Sequence, residues 1–309
     1  MQGVVIKSTG SWYTVKTKDG VVRDCRIKGK FRIQGIKSTN PVVVGDSVEV
    51  HEEGDHCMIV DLHERKNYIV RKSVNLSKQT HIIAANIDQA ILVVTLQSPV
   101  TTRGFIDRFL VSAQAYGVNV LLFFNKLDLY DEQAKEEQKK VQSMYEKIGY
   151  KCLSFSVLND DLSEVKALMK GKVNVVAGHS GVGKSSLLNT LQPGLDLLTQ
   201  EVSEQHQQGQ HTTTFSEMHA LDFGAAIIDT PGIRGFGLVE MNKQEISDYF
   251  LEFFALKGKC KFHNCIHINE PSCVIKEAVE RGDIAASRYK NYLNMLQEEE
   301  ESYRTNNYD

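Results

Sequence analysis

No apolar run in this chain approaches the roughly 18 residues that a bilayer-spanning helix requires, so no transmembrane segment is expected. The N-terminus lacks the basic, apolar and small-residue succession of a secretion signal, and a cytoplasmic location is the expectation. A large charge of either sign is also missing. Lys and Arg number 36 against 39 Asp and Glu, a formal net charge of −3. That balance speaks against a non-specific polycationic nucleic-acid binder while leaving room for a local basic face. Cysteine is sparse, with six in 309 residues. In a reducing compartment such thiols are free side chains or metal ligands rather than disulfides. Cys25, Cys57 and Cys152 are scattered through strand-like segments and read as fillers of apolar space, whereas Cys260, Cys265 and Cys273 lie close together near the C-terminus.

The first 64 residues show no helical periodicity. Short apolar runs (Gly3-Val4-Val5-Ile6, Val42-Val43-Val44) alternate with turn signals such as Ser8-Thr9-Gly10, Lys18-Asp19-Gly20 and Glu53-Gly54-Asp55. Five or so short strands favour a small closed barrel, because an open sheet of this size exposes unpaired edges. Arg23, Arg26, Lys28, Lys30, Arg32 and Lys37 face a single acid, Asp24, with Phe31 among them. This stripe is either a backbone-tracking face of an OB-type barrel or a solvated strand face with one core aromatic. Arg65-Lys66-Asn67-Tyr68 and Arg71-Lys72 form a basic connector.

The pattern then changes. Residues 90–95 and 118–124 are continuous apolar runs, as in strands covered on both faces. Residues 105–116 have helical spacing, and residues 131–148 form a helix with a charged outer face that Gly149 terminates. Residues 152–155, 173–177 and 225–228 are further short strands. This alternation predicts an α/β domain with a largely parallel sheet, over residues 73–240 between a barrel with connector (1–72) and a helical C-terminal module (241–309). The acidic tail from Glu298 to Glu301 is expected to be disordered.

Gly178-His179-Ser180-Gly181-Val182-Gly183-Lys184-Ser185 follows a strand and opens a helix that continues through Ser186, the placement a phosphate-binding loop requires. Its glycines let successive N–H groups turn inward toward a β-phosphate. Lys184 meets the β/γ oxygens and the Ser185 hydroxyl meets Mg²⁺. Asp229-Thr230-Pro231-Gly232 ends a later strand. Its carboxylate can hold magnesium through a bound water, and the Gly232 N–H can reach a γ-phosphate. Asn125-Lys126-Leu127-Asp128 follows the strand over residues 118–124. The Asp128 carboxylate can accept from guanine N1–H and the 2-amino group, donors that adenine lacks, which disfavours an ATPase. Lys126 can cover the base plane and Asn125 can tie the two loops together. Ser154 or Ser156 is the further base-side candidate.

The order of these motifs is unusual. The base-reading motif precedes the phosphate loop, and D-T-P-G comes last. Because all of these loops lie at the carboxyl ends of strands in one sheet, such a permutation keeps the site intact. It also makes the segment after Asp229 lead straight into the C-terminal module.

Five motifs in this order (N-K-L-D at 125, G-H-S-G-V-G-K-S-S at 178, G-Q-H-T-T-T at 209, D-T-P-G-I-R-G-F at 229, and Cys260-x4-Cys265-x-His267-x5-Cys273) make the chain resemble the circularly permuted, ribosome-small-subunit-dependent GTPase A family of bacteria. The resemblance covers nearly the whole chain. It implies an OB-type barrel, a permuted P-loop GTPase domain and a zinc module. It also implies a GTP-hydrolysing enzyme in late maturation of the small ribosomal subunit, bound and stimulated by that subunit and its rRNA, with low activity alone. The expected cofactors are GTP or GDP, Mg²⁺ and one structural Zn²⁺, and the expected state is a monomer. A protein-effector switch is the competing function, and the two flanking modules favour the RNA-containing partner.

Small signalling GTPases place a water-orienting Gln directly after D-x-x-G; here the residue is Ile233, which cannot hydrogen-bond water. His211 is the nearest local substitute, its alternative being a solvated loop histidine. Thr213, with Thr212 as runner-up, is the expected switch residue on Mg²⁺. Cys260, Cys265, His267 and Cys273 suit a closed tetrahedral zinc site. His263 competes for the fourth place and the family pattern favours His267. Asn269 and Ser272 are the expected supporting hydrogen-bond partners. A single helix over residues 275–296 is expected to pack on this knuckle, with Arg281, Arg288 and Lys290 either solvated or facing RNA.

Overall fold

In a computed structural model that describes residues 1–28, 41–54, 56–71, 81–195, 216–229 and 243–306, the N-terminal alternation becomes β1 (Gln2–Ser8), β2 (Tyr13–Thr17), β3 (Val22–Ile27), β4 (Ser47–Glu53) and β5 (His56–Leu62). The order is β1–β2–β3–β5–β4, closed by pairing of β1 with β4. Closure leaves no free edge within the barrel. Val5, Val15, Cys25, Val48, Val50 and Ile59 fill its interior, so Cys25 acts as an apolar filler. The described part of the basic stripe is largely neutralised within the chain. Arg23 pairs with Asp19 and Glu52, Lys28 pairs with Glu53, and Arg26 lies 4.1 Å over the half-exposed Trp12 ring. Lys30, Phe31, Arg32 and Lys37 lie outside the described residues.

The basic connector is less free than its composition implies. Arg65 donates to both carboxylate oxygens of the fully buried Asp46, at 2.7 Å each. The chain then forms β6 (Tyr68–Arg71) and β7 (His81–Ala85), an antiparallel pair. The Asn67 and Asn86 side chains bond to the backbone at Ile87 and Gly45, which fixes the barrel to the next domain.

That domain contains β8 (Gln89–Val94), α1 (Arg103–Ala115), β9 (Asn119–Phe124), α2 (Glu132–Ile148), β10 (Lys151–Ser154), α3 (Ser163–Met169), β11 (Val173–Ala177), α4 (Lys184–Leu191), β12 (Glu217–Ala220) and β13 (Ala226–Asp229). The strand order is β10–β9–β8–β11–β13–β12. Every pairing is parallel except the antiparallel β12–β13. Strand β8 shows why the apolar runs are continuous. Ala90, Leu92 and Val94 enter one core, and Ile91 and Val93 enter the other. Both faces are covered, as a parallel sheet requires. Asp131 caps α2 by accepting from the Ala134 N–H at 2.7 Å, and Gly149 ends it at φ 114°. The sheet carries the permutation visibly: β11, which feeds the phosphate loop, is central, with β8 to β10 before it in sequence on one side and β12 and β13 on the other.

The C-terminal module is helical: α5 (Lys243–Ile246), a 3-10 turn (Ser247–Tyr249), α6 (Leu251–Phe254), α7 (Val274–Glu280) and α8 (Ala286–Asn306). Three expectations are corrected here. The single helix over residues 275–296 is two helices, interrupted where Gly282 takes φ 80°. The acidic stretch from Glu298 to Glu301, expected as a disordered tail, falls within the bounds of α8, which runs to Asn306, as a run of good helix formers allows. Arg288 faces neither solvent nor RNA but is fully buried. Its guanidinium donates to Asp107 Oδ1 at 2.7 Å and to both Glu252 oxygens at 2.7 and 3.0 Å. Asp107 also accepts from Tyr145 at 2.7 Å and from Asn291. This network, backed by the Phe250 ring 4.5 Å from the guanidinium, clamps α8 against α1. Arg281 and Lys290 are exposed as expected.

Candidate nucleotide site and metal centre

Between β11 and α4 the chain makes the turn that only glycine permits. Gly178 and Gly183 take φ 141° and 98°. A Cβ at Gly178 would stand 2.4 Å from the Val93 carbonyl oxygen, and one at Gly183 would stand 2.3 Å from Asn125 Nδ2. Val182 is fully buried and pins the loop into the core, leaving Ser180 and Gly181 exposed at its crest. Lys184 Nζ donates to the carbonyls of Gly178 at 3.0 Å and His179 at 2.6 Å. Ser185 and Ser186 follow in the first turn of α4. The His179 ring lies 4.0 Å from that of Phe105 on α1. Burial, and then the Lys184 charge, lower its pKa and favour the neutral imidazole.

The base-reading loop joins this one through a single side chain. Asn125, buried, donates from Nδ2 to the Val182 carbonyl at 2.9 Å and accepts at Oδ1 from the Val157 N–H at 3.1 Å. Lys126 takes φ 66° and its ammonium donates to the Ser98 carbonyl at 2.6 Å. Asp128 sits exposed in a 3-10 turn, Leu127–Leu129. The two serine candidates separate clearly. Ser154 is engaged by α2, accepting from Gln138 at 2.6 Å and donating to Gln142. Ser156 is buried in the loop that Asn125 holds, and its hydroxyl has no partner among the described residues. An unpaired buried hydroxyl costs about 1–3 kcal/mol, which suits a residue that faces a ligand. Sequence reasoning missed Tyr130, whose buried hydroxyl accepts from the Leu96 N–H at 2.6 Å and steadies the same loop. Its place two residues after Asp128 was the available signal.

Asp229 ends β13, beside β11. Desolvation raises its pKa, with His219 opposing and Glu217 adding to the shift. Its carboxylate and the Ser185 hydroxyl are the hard oxygen donors that Mg²⁺ prefers, so the residues present fit that ion. His211, Thr212, Thr213, Gly232 and Ile233 lie outside the described residues.

In the C-terminal module the ligand atoms of Cys260, Cys265, His267 and Cys273 all lie within 4.8 Å of one another. The His267 Nδ1 is 3.3 Å from the Cys265 and Cys273 sulfurs and 3.7 Å from that of Cys260, and the Cys260 and Cys273 sulfurs are 4.0 Å apart. Zinc–sulfur and zinc–nitrogen bonds of about 2.3 and 2.0–2.1 Å in tetrahedral array give edges of roughly 3.6–3.8 Å, so the donor set fits zinc in both chemistry and size. His263 is exposed and stands outside the set. The expected support from Asn269 and Ser272 comes instead from Glu270, which accepts from the Ile266 and Ile268 N–H groups at 2.7 and 2.8 Å. Tyr289 and Tyr292 of α8 donate to the carbonyls of His267 and Ile266, both at 2.7 Å.

Comparison with known proteins agrees with this geometry. A family model described as RsgA GTPase matches residues 62–239, and one described as RsgA N-terminal domain matches residues 2–59. The chain belongs to the RsgA GTPase family. It is thus a GTP hydrolase, with the guanine nucleotide and Mg²⁺ that this family's chemistry involves. It is 56% identical to the small ribosomal subunit biogenesis GTPase RsgA of Christiangramia forsetii, over 100% of this chain and 99% of that one. With the protein of the same name from Flavobacterium johnsoniae it shares 58% identity, covering 100% and 96% of the two chains. Among solved structures, YjeQ from Thermotoga maritima matches at a TM-score of 0.79 and 35% identity, over 96% of this chain and 97% of that one. YloQ, described as a circularly permuted GTPase, matches at 0.77 and 28% identity, over 97% and 95%. The barrel, the permuted sheet and the C-terminal module of the RsgA family chain are therefore those of a known architecture.

Proposed function

We propose that the chain is a GTPase of small-ribosomal-subunit biogenesis, slow alone and stimulated when it binds that subunit and its rRNA. The observation that carries the nucleotide part is the Asn125 side chain, which bonds to the phosphate loop through Val182 and to the Ser156 loop through Val157. It assembles three separate segments into one cleft. In that cleft Asp128 reads the guanine edge, Lys126 covers the base and Ser156 lies behind it. The N–H groups of residues 178–183 surround the phosphates, Lys184 adds charge to the β/γ oxygens, and Ser185 and Ser186 open the helix beneath them. Ser185, Asp229 and Thr213 would hold Mg²⁺, which neutralises charge developing on the phosphates during hydrolysis. The Gly232 N–H of the D-x-x-G motif would meet the γ-phosphate.

Water attacks the γ-phosphate and GDP and phosphate leave. Ile233 supplies no hydrogen bond to that water, so the intrinsic rate is low, and His211 is the residue that orients it when the subunit is bound. Cys260, Cys265, His267 and Cys273 hold one zinc ion as a structural centre, because four protein ligands leave no open position. The ribosomal role rests on the names of relatives that match over essentially the full chain. The test is co-sedimentation with small subunits, with and without a non-hydrolysable GTP analogue, together with phosphate release in both conditions. Subunit binding with stimulated release is expected. Turnover indifferent to the subunit would overturn the reading.

A further inference from the structure

Barrel and GTPase domain form one continuous eleven-stranded sheet, and the seam is a contact between β1 and β12. One register pair defines it, Lys7 with Glu217, supported by the Ser8 N–H donating to the Ser216 carbonyl at 3.5 Å. Strand β1 carries a bulge between Val5 and Lys7 in its pairing with β2. Bulges re-aim side chains. Val5 points into the barrel core, and two residues later, across the bulge, Lys7 reaches outward instead. Its ammonium lies 2.8 Å from the Glu217 carboxylate. Glu217 is in turn the register partner of Asp229 across β12 and β13. Register partners share a sheet face, so a single row crosses the seam from Lys7 of the barrel through Glu217 to Asp229. Strand β12 is also the first described element after the G-Q-H-T-T-T segment at 209–214.

We propose that Lys7, a barrel residue, is a positioning residue for the GTPase site: by holding Glu217 it fixes β12 and keeps that carboxylate away from the metal-binding edge of Asp229. The proposal rests on the reading of Asp229 as a magnesium ligand. In consequence, whatever the barrel docks on is mechanically continuous with the strand that leaves the switch segment. Without Lys7, Glu217 is free to swing toward Asp229, and β12 loses its side-chain anchor to β1. The base-reading and phosphate loops are untouched by this change.

The test uses the whole 309-residue chain as purified, with Lys7→Glu and Lys7→Arg. The pair is partly exposed, and such pairs are worth up to about fivefold in an equilibrium. Lys7→Glu is expected to lower kcat about two- to fivefold, to leave the affinity for a fluorescent GDP analogue unchanged, and to speed amide hydrogen exchange in β12. Lys7→Arg should match the parent in all three. Asp229→Asn is run in parallel for its effect on the Mg²⁺ dependence of nucleotide retention. If Lys7→Glu alters neither kcat nor β12 exchange, the proposal fails. It also fails if kcat, GDP affinity and melting temperature fall together, since that is a folding defect. If Asp229→Asn leaves the Mg²⁺ dependence intact, the metal assignment fails instead, and the exchange data still judge the seam.

Discussion

Replacing Arg288 with methionine tests how the C-terminal module is held to the GTPase domain. Methionine keeps much of the apolar stem and removes only the guanidinium. In the parent, that group is fully buried and bonds to Asp107 and Glu252. Desolvation works against its charge, but the facing carboxylates of Asp107 and Glu252 outweigh it and raise its pKa, so it stays protonated. Removing one partner of a buried pair costs about 3–5 kcal/mol, because the other charge is left uncompensated. Two carboxylates lose their partner here: Glu252, which keeps some exposure to water, and the fully buried Asp107, whose remaining donors are the Tyr145 hydroxyl and the Asn291 amide. Every 1.4 kcal/mol is a factor of ten, so opening of α8 should become roughly a hundred- to several-thousandfold more frequent. Hydrogen exchange of α8 amides reads that opening directly.

The pH dependence has a definite sign. Burial raises the Asp107 pKa even with Arg288 present, and Arg288 opposes that rise. Without Arg288 the folded-state pKa climbs further above the unfolded value. A raised carboxylate pKa means that the folded state takes up the proton more readily. The deficit of Arg288→Met is therefore largest above the folded pKa and shrinks as pH falls through it toward the unfolded value. A second change, Asp107→Asn in the Arg288→Met background, should recover much of the loss and flatten the pH response. An exchange rate in Arg288→Met within tenfold of the parent, or a deficit that grows on acidification, would refute the reasoning.

Three further outcomes are expected. Asp128→Asn should weaken GTP binding strongly in a fluorescent-nucleotide titration, since an acceptor becomes a donor facing a donor; equal parental affinity for GTP and ATP would contradict the assignment. Purified protein should carry about one zinc per chain by elemental analysis, and Cys265→Ser should lose it and loosen residues 255–295 while nucleotide binding survives. His211→Ala should keep nucleotide affinity yet lose most of the subunit-stimulated phosphate release, a stimulation that reaches about 10³-fold or more in arginine-finger systems; survival of that release would place the catalytic group elsewhere.

The parts of the fold that were legible in the sequence are those with strong local chemistry. Strand β8 reads as doubly covered because Ala90 to Val94 are all apolar, and the far end of α2 reads correctly because Gly149 terminates it; its start falls one residue later than read, with Asp131 as the cap rather than the first helical residue. The phosphate loop is legible because Gly178 and Gly183 are required by backbone approach. What was not legible depends on tertiary partners. Arg288 on a charged helix looks solvated until Asp107, remote in sequence, appears opposite it. The break at Gly282 hides inside a helical pattern because an isolated glycine is tolerated there. Ser154 and Ser156 cannot be told apart without seeing that Gln138 and Gln142 occupy the first. The choice of His267 over His263 rests in three dimensions on which imidazole meets three sulfurs.

The permutation gives these long-range contacts a common logic. In this chain order β13 is the last described strand of the sheet, and the next described element after Asp229 is α5, the start of the C-terminal module. That module returns through α8 to α1, where Arg288 grips Asp107. Two residues earlier on α1, Phe105 packs its ring on His179 of the phosphate loop. On the other edge of the sheet, β12 meets the barrel through Lys7 and Glu217. The phosphate side of the cleft is thus bordered by one flanking module at α1 and by the other at β12. Packed interfaces of this kind switch between discrete arrangements rather than deforming smoothly. A partner large enough to touch both modules at once can bias the cleft from two sides. Neither contact passes through the Asn125-centred base loop, which is why guanine affinity is expected to stay constant while turnover responds.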